Sequence, residues 1–391
     1  MTQFILIKRI KVQNANAIAG FTWGFPAITH FLGFTHNLSR KLSESEKFSD
    51  INFTGCGVIA HKHHVHNYQN YGVEFTQSRN PPYLSSHSKV ETPPIIEEGK
   101  MNMTVSLLLG YEGNLGNRIG LFYQWLENSC YLQRLAGGTI LNIATIEAYT
   151  LSEDREVRSI TRELLPGFIL LDRSAALADH YQSLQQKNLD VELLDTWLDF
   201  SAIKQQARPK SNLISKHLTQ LATEQAQLLE LWVQHLTTPY QHGKIHYDLQ
   251  TYFSELADQK QTSLKALLQQ WENYCNPTEN TEADWEYLKK PAKGYLVPIM
   301  IGYKAISKVY ENSEVANTRD NETDVCFVES VHSIGEWSSV HRIKNVEGLS
   351  SCLWNYHYED EWYLCKQDMS KSTNDPEERE IIIEKPDDDF S

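Results

Sequence analysis

The chain has 391 residues, is 41% hydrophobic and carries a formal net charge of -14. That is enough apolar material for a packed core and more chain than one small domain needs, so two compact units, or one with a large insertion, are expected. The acidity excludes a free-standing, non-specific nucleic-acid binder, whose affinity comes from neutralising phosphates, but it leaves room for a local basic groove on a chain whose other faces meet protein.

Residues 4–12 set Phe4, Ile5, Leu6 and Ile7 before Lys8, Ile10 and Val12, which predicts a first strand with one buried face. Residues 13–17 read as a polar turn. Residues 26–42 read as a helix, with Ile28, Phe31, Leu32, Thr35 and Leu38 at helical spacing. Further strands are expected at 53–60, 73–76 and 101–109, the last with Met103, Val105 and Leu107 on one face. A second helix follows at 121–132. Gly137-Gly138 breaks the chain, and a strand resumes at 139–143. The order is that of an α+β, ferredoxin-like or RRM-like domain, expected over residues 1–174.

From residue 175 glycine almost vanishes. Ile214, Leu218, Leu221, Leu228, Trp232 and Leu236 fit one helical face, and Leu249, Phe253, Leu256, Leu264 and Trp271 continue it, so residues 175–290 read as an inserted helical subdomain. Strands return at 295–302 and 325–328, and residues 291–365 are expected to complete the core. Residues 366–391 read as a mobile, solvated acidic tail.

Six scattered cysteines without a CxxC pair read as reduced thiols. The N-terminal residues lack a signal-peptide pattern and no apolar run reaches membrane-spanning length, so a cytoplasmic protein is expected. No cofactor is implied.

Three groups of residues could carry function. The first is His61-Lys62-His63-His64-Val65-His66, readable as a metal site, an RNA-facing patch or a solvated strand end. One strand supplies at most two converging ligands and no acidic or cysteine partner lies nearby in sequence, so no metal site is assigned. The second is a nuclease set. His30 and His36 lie on different faces of the first predicted helix, and the chain has no paired-carboxylate metal motif, no phosphate-binding glycine loop and no nucleophile elbow. The third comprises amide, arginine, glycine and aromatic residues at element ends: Asn14 and Asn16 with Trp23, Arg79-Asn80, Arg134 with Gly137-Gly138, and Trp337 with His341-Arg342. Single-stranded RNA is held by such groups, with arginine and backbone amides on phosphates and aromatic rings stacked on bases.

Read in order, these clusters resemble the second subunit of the type I-F CRISPR surveillance complex, the Csy complex. The resemblance rests on Gln13-Asn14-Ala15-Asn16-Ala17-Ile18, Thr22-Trp23-Gly24-Phe25-Pro26, Arg79-Asn80-Pro81, Glu97-Glu98-Gly99 and Arg134-Leu135-Ala136-Gly137-Gly138-Thr139. It continues in Leu164-Leu165-Pro166-Gly167-Phe168, Gly294-Tyr295-Leu296-Val297-Pro298, Gly335-Glu336-Trp337 and His341-Arg342. It implies an RRM-like RAMP domain with a protruding β-hairpin thumb. The implied ligand is the repeat-derived 5′ handle of the crRNA. Implied partners are the large Csy subunit, in a heterodimer, and the adjacent backbone subunit. Target DNA would be met only through the complex, by guide pairing. No catalysis is implied. Competing readings are a metal-independent repeat-RNA endonuclease and a purely structural adaptor.

Overall fold

The computed structural model describes residues 2–69, 72–187, 190–209, 251, 254, 255, 258, 283–318 and 320–368. The chain divides into two units. One joins residues 1–201 to 292–391, and the other is residues 202–291.

In the first unit, strand β1 (Thr2–Asn16) is followed by the short β2 (Ile18–Ala19) and β3 (Thr22–Trp23), helix α1 (Ile28–Ser43) and strand β4 (Asn52–Val65). An excursion then runs through β5 (Asn67–Gln69), β6 (Val73–Ser78), β7 (Tyr83–Ser86), β8 (Lys89–Glu91) and β9 (Ile96–Glu98) before β10 (Lys100–Glu112). Next come α2 (Ile119–Tyr131), β11 (Arg134–Leu135), β12 (Gly138–Asn142), β13 (Thr145–Leu151), α3 (Asp154–Glu163), β14 (Phe168–Asp172), α4 (Ser174–Lys187) and α5 (Leu193–Ser201). The second unit's described part is the antiparallel pair β15 (Gln205–Pro209) and β16 (Ala283–Tyr287). Back in the first unit lie β17 (Leu296–Ala305), β18 (Val328–Ser339), α6 (Val346–Ser351), β19 (Trp354–Glu359) and β20 (Trp362–Gln367). The apolar spacing read as helix at 214–271 lies mostly outside the described residues, as does the acidic tail beyond Asp368.

One large mixed α/β layer results. Its antiparallel sheet runs β11-β12-β1-β10-β4-β14-β18-β17-β20-β19, with β13 also on β1. Apolar residues of β1 supply both faces. Ile5, Ile7, Ile10, Val12 and Ala15 pack with α1 and α2, whereas Phe4 and Leu6 pack with Val157 and Ile160 of α3 and Leu349 of α6. A strict two-residue period cannot keep Ile7 and Ile10 on one face. Two β-bulges do so. The β1–β10 register shifts between Ile7 and Ile10 and again between Val12 and Ala15, and Arg9 and Asn14 adopt φ of 49° and 56°. Each extra residue restores the inward parity and turns its own side chain out of the ladder.

Helix α1 buries Ile28, Phe31, Leu32, Thr35, Leu38 and Leu42, a continuous stripe at helical spacing, and ends with Arg40 and Lys41 beside its negative pole. Helix α3, which the sequence reading did not contain, starts on a reciprocal capping box between Glu153 and Glu156. Its short apolar stripe sits among charged residues, which hides the period.

The later strands return to β4. Along one edge β4 pairs with β14 at Ile59 and Ala60, and with β19 at Cys56. The pairings β14–β18, β18–β17, β17–β20 and β20–β19 close the circuit. The sequence reading put a short strand at 325–328 and took Gly335-Glu336-Trp337 as an element end. Instead β18 spans Val328–Ser339 and carries those residues in its interior. Its apolar alternation is broken by the buried Ser333, Glu336 and Ser338, and partners satisfy the first two. Ser333 Oγ meets Ser174 Oγ at 2.6 Å, and Glu336 accepts from Arg173 Nε at 2.6 Å.

Candidate nucleic-acid interface

A cleft of about 410 Å³ opens where β1, β10 and the β11–β12 hairpin end together beside the base of the excursion. Gln13 and Asn14 come from the second β1 bulge, Arg134 from β11, Gly137, Gly138 and Thr139 from the hairpin, and Lys100 from the start of β10. His66, Thr76 and Glu98 complete the lining.

Hairpin geometry explains the glycines. Ala136 and Gly137 both have positive φ, 50° and 75°, between the paired Leu135 and Gly138. That is the two-residue turn whose twist matches its strands, and Gly137 fits it without strain. Gly138 answers a different need. A Cβ there would lie 2.7 Å from Ala15 N and from Gln13 O, so the hairpin docks on β1 only because this residue has no side chain. The Asn16 backbone N–H donates to Ala136 O at 2.8 Å, fixing the end of β1 to the hairpin, and the Asn14 N–H donates to Asn102 Oδ1 at 3.1 Å, fixing the bulge to β10.

Lys100 and Arg134 bring two cations to the cleft, His66 an imidazole, and Glu98 a carboxylate. Among the described residues neither Lys100 nor Glu98 has an ion pair. The chain is acidic overall, yet this cleft presents cations with no carboxylate bound to them, the local arrangement that an RNA-holding subunit needs.

Of the residues singled out in the sequence, the fold brings Asn14, Arg134, Gly137 and Gly138 together here. Asn16 spends both ends of its side-chain amide on the Ile18 backbone, at 2.8 Å and 3.0 Å, and shapes the wall. Trp23 stands edge-on to Phe75, ring centroids 4.5 Å apart, tying the β2–β3 hairpin to the excursion. Arg79 and Asn80 are exposed in the excursion, in the loop after β6. Trp337 packs edge-on to Phe25 at 4.8 Å. His341 and Arg342 lie in an exposed turn after β18, where His341 Nδ1 meets Ser339 Oγ at 2.6 Å. None of these last residues lines the cleft. Sequence reasoning did not select Thr76 or Lys100; it named His66 only within the histidine cluster and Thr139 only within the Arg134–Thr139 motif. The one available signal was Lys100 directly after the Glu97-Glu98-Gly99 motif.

The histidine cluster separates into three environments. His63 and His64 are exposed, and His66 reaches the cleft. His61 occupies a bulge of β4, between the partners of Thr104 and Val105. Its Nδ1 is 2.8 Å from Pro166 O and its Nε2 2.7 Å from Ser106 Oγ, which also accepts the Arg9 backbone N–H at 2.9 Å. This network is satisfied when Nδ1–H donates to Pro166 O and the serine hydroxyl donates to Nε2, that is, with neutral imidazole. The pair has a nucleophile–base spacing, but Ser106 is fully buried and its oxygen already accepts from Arg9. It therefore works as a latch between β1, β4 and the loop before β14. Among the described residues no group of three or more histidine, cysteine or acidic side chains could hold a metal, and no helix is long and apolar enough to cross a membrane. The five described cysteines are free thiols.

Burial pushes the His61 imidazolium below its ordinary range, and burial does the same at His30 and His332. Each group binds its proton less readily in the folded than in the unfolded chain. Stability is therefore greatest above the unfolded value and falls as pH drops through it toward the folded value. Urea unfolding is expected to show a lower midpoint at about pH 5.5 than at about pH 7.5, and His61→Gln is expected to flatten part of that difference. An identical midpoint shift in the variant would show that the His61 latch is not responsible.

Comparison with known proteins adds two findings. A family model described as "CRISPR-associated protein (Cas_Csy2)" matches residues 5–242 and 211–365. A curated protein of Pseudomonas aeruginosa (strain UCBPP-PA14), named CRISPR-associated protein Csy2, is 30% identical over 378 residues, covering 91% of each chain.

Proposed function

This chain belongs to the Csy2 family of CRISPR-associated proteins, and from that premise we propose that it is the non-catalytic subunit of a type I-F surveillance complex that holds the 5′ handle of the crRNA. The observation that carries this reading is the convergence of Asn14, Arg134, Gly137 and Gly138, distant in sequence, on one cleft with Lys100. Amide side chains, arginine and a glycine turn approachable by a phosphate are what a single strand of RNA requires.

The strand order β12-β1-β10-β4, with α1 and α2 packed on one face, supports an RRM-like RAMP core. The excursion from 67 to 98, with exposed Tyr68, Val73, Tyr83, Leu84 and Val90, supports the protruding thumb. In this reading the large Csy subunit pairs with the chain as a heterodimer and a backbone subunit lies next to the handle. The remaining acidic surface faces protein and cytoplasm, and DNA is read by guide pairing. Co-expression of the chain with the other Csy subunits and a guide RNA is expected to yield one particle that contains it. Omitting this chain should leave the 5′ handle open to nuclease. A complete particle without the chain, or a handle equally protected in its absence, overturns the assignment.

A further inference from the structure

The cleft contains a group that phosphate binding does not explain. Glu98 lies beside Lys100 and Arg134 yet pairs with neither, although only Gly99 separates it from Lys100. A carboxylate near RNA phosphates is repelled by them, and it weakens the field of the neighbouring cations. Its position is not that of a loose surface side chain. Glu98 is half-buried and registers opposite Thr76 in the β6–β9 pair. The next residue, Gly99, accepts the Ala17 N–H at 2.8 Å and lies so close to Ile18 that a Cβ would meet its side chain at 2.5 Å. Backbone contacts thus hold the Glu98–Gly99 backbone beside the β1 segment that follows the Asn14 bulge.

An ionised carboxylate only accepts hydrogen bonds. Single-stranded RNA offers it two kinds of donor, the ribose 2′-hydroxyl and the N–H groups on base edges. The cleft is within the size range of small-ligand sites, about 300–1,000 Å³, so a base can enter it while Lys100 and Arg134 meet the adjoining phosphate. We infer that Glu98 is a specificity-determining residue of the handle site, accepting hydrogen bonds from a base whose Watson–Crick edge carries an exocyclic amino group. Guanine satisfies it best, because N1–H and the amino group present two donors to the two carboxylate oxygens. Uracil satisfies it worst, because carbonyl oxygens flank its single N–H and face the same negative charge. Cations supply affinity, and the carboxylate decides which base is admitted.

This inference rests on the handle-binding reading, and the test separates the two. Binding of the full chain is measured to RNA carrying the 5′ handle of its own repeat. A second set of RNAs replaces each non-uridine position in turn by uridine. The native chain is expected to lose roughly tenfold or more in affinity at one amino-bearing position. Glu98→Gln, whose amide both donates and accepts, is expected to shrink that roughly tenfold difference between the unmodified and the uridine-substituted handle to a few-fold or less. Identical position profiles in the two proteins overturn the role of Glu98 while leaving handle binding intact. So does a loss that follows 2′-deoxy replacement rather than base replacement. If the native chain binds none of these RNAs, the handle reading falls, and this inference with it.

Discussion

Trp354→Ala is expected to destabilise the chain by about 3–5 kcal/mol, the range for deleting a fully buried large aromatic side chain. Among the described residues Trp354 is the largest side chain fully removed from solvent, and it stands where the β4–β14–β18–β17–β20–β19 circuit closes. Among the described residues, the backbone pairing of its strand with β4 is Trp354–Cys56. The indole N–H donates to Leu170 O at 3.0 Å, and Gln367 Nε2 donates to the same oxygen at 3.0 Å and to Cys352 O at 2.8 Å. Gln367 Oε1 in turn accepts the Asp172 N–H at 2.8 Å. Truncation opens a cavity and removes one of two donors to a buried carbonyl, and both effects destabilise. Trp354→Phe loses the hydrogen bond but leaves a much smaller cavity, so it is expected to be affected by about 1–2 kcal/mol. Chemical unfolding monitored by fluorescence and by circular dichroism measures both. Equal stability of Trp354→Ala and the native chain would contradict the closed circuit.

Removing both cleft cations is expected to have the largest effect on RNA. For a single strand, each neutralised phosphate contributes about 0.7 to the slope of log affinity against log salt. Lys100→Ala with Arg134→Ala is therefore expected to lower that slope by about 1.4 and to weaken handle binding roughly 10- to 100-fold at moderate salt. Neither Lys100 nor Arg134 is a member of a core cluster, so thermal stability should hold while affinity falls. An unchanged slope would remove the cleft from the RNA path. Arg342→Ala, altered in the exposed turn after β18, provides the comparison. A slope decrement there extends the RNA path beyond the cleft, and none confines it.

What could be read from the sequence follows from the range of the forces involved. The stripe Ile28, Phe31, Leu32, Thr35 and Leu38 announces α1 because helical spacing is local and every member is buried. The strand at Met103, Val105 and Leu107 is legible for the same reason. β18 is not, because Ser333 and Glu336 are polar and buried, and their partners Ser174 and Arg173 lie some 160 residues away. The site shows the same division. Asn14, Arg134 and Gly137-Gly138 stand out as residues that suit turns and phosphates. Their convergence depends on two bulges that no periodicity reveals. His66 and Lys100 enter the cleft only because β4 and β10 are antiparallel neighbours ending at one level. Trp337 shows the reverse error of emphasis, since an aromatic in a resemblance motif here packs against Phe25.

The position of β1 inside the sheet, between β10 and the β12 and β13 strands, also dictates when the molecule can take shape. Its first residues pair with 145–151 and with the distal part of β10, so the opening strand has no neighbours until that much of the polypeptide has left the ribosome. The β4 edge waits longer, because β14 needs β18 and Trp354 comes from the last eighth of the chain. Between the two lies unit 202–291, which must emerge before the circuit can close. Such long sequence separations slow folding, and they leave the apolar β4 edge uncovered during synthesis. That exposed nascent edge makes this protein a candidate client for cotranslational chaperones, with yield limited by the time taken to translate its final seventy residues.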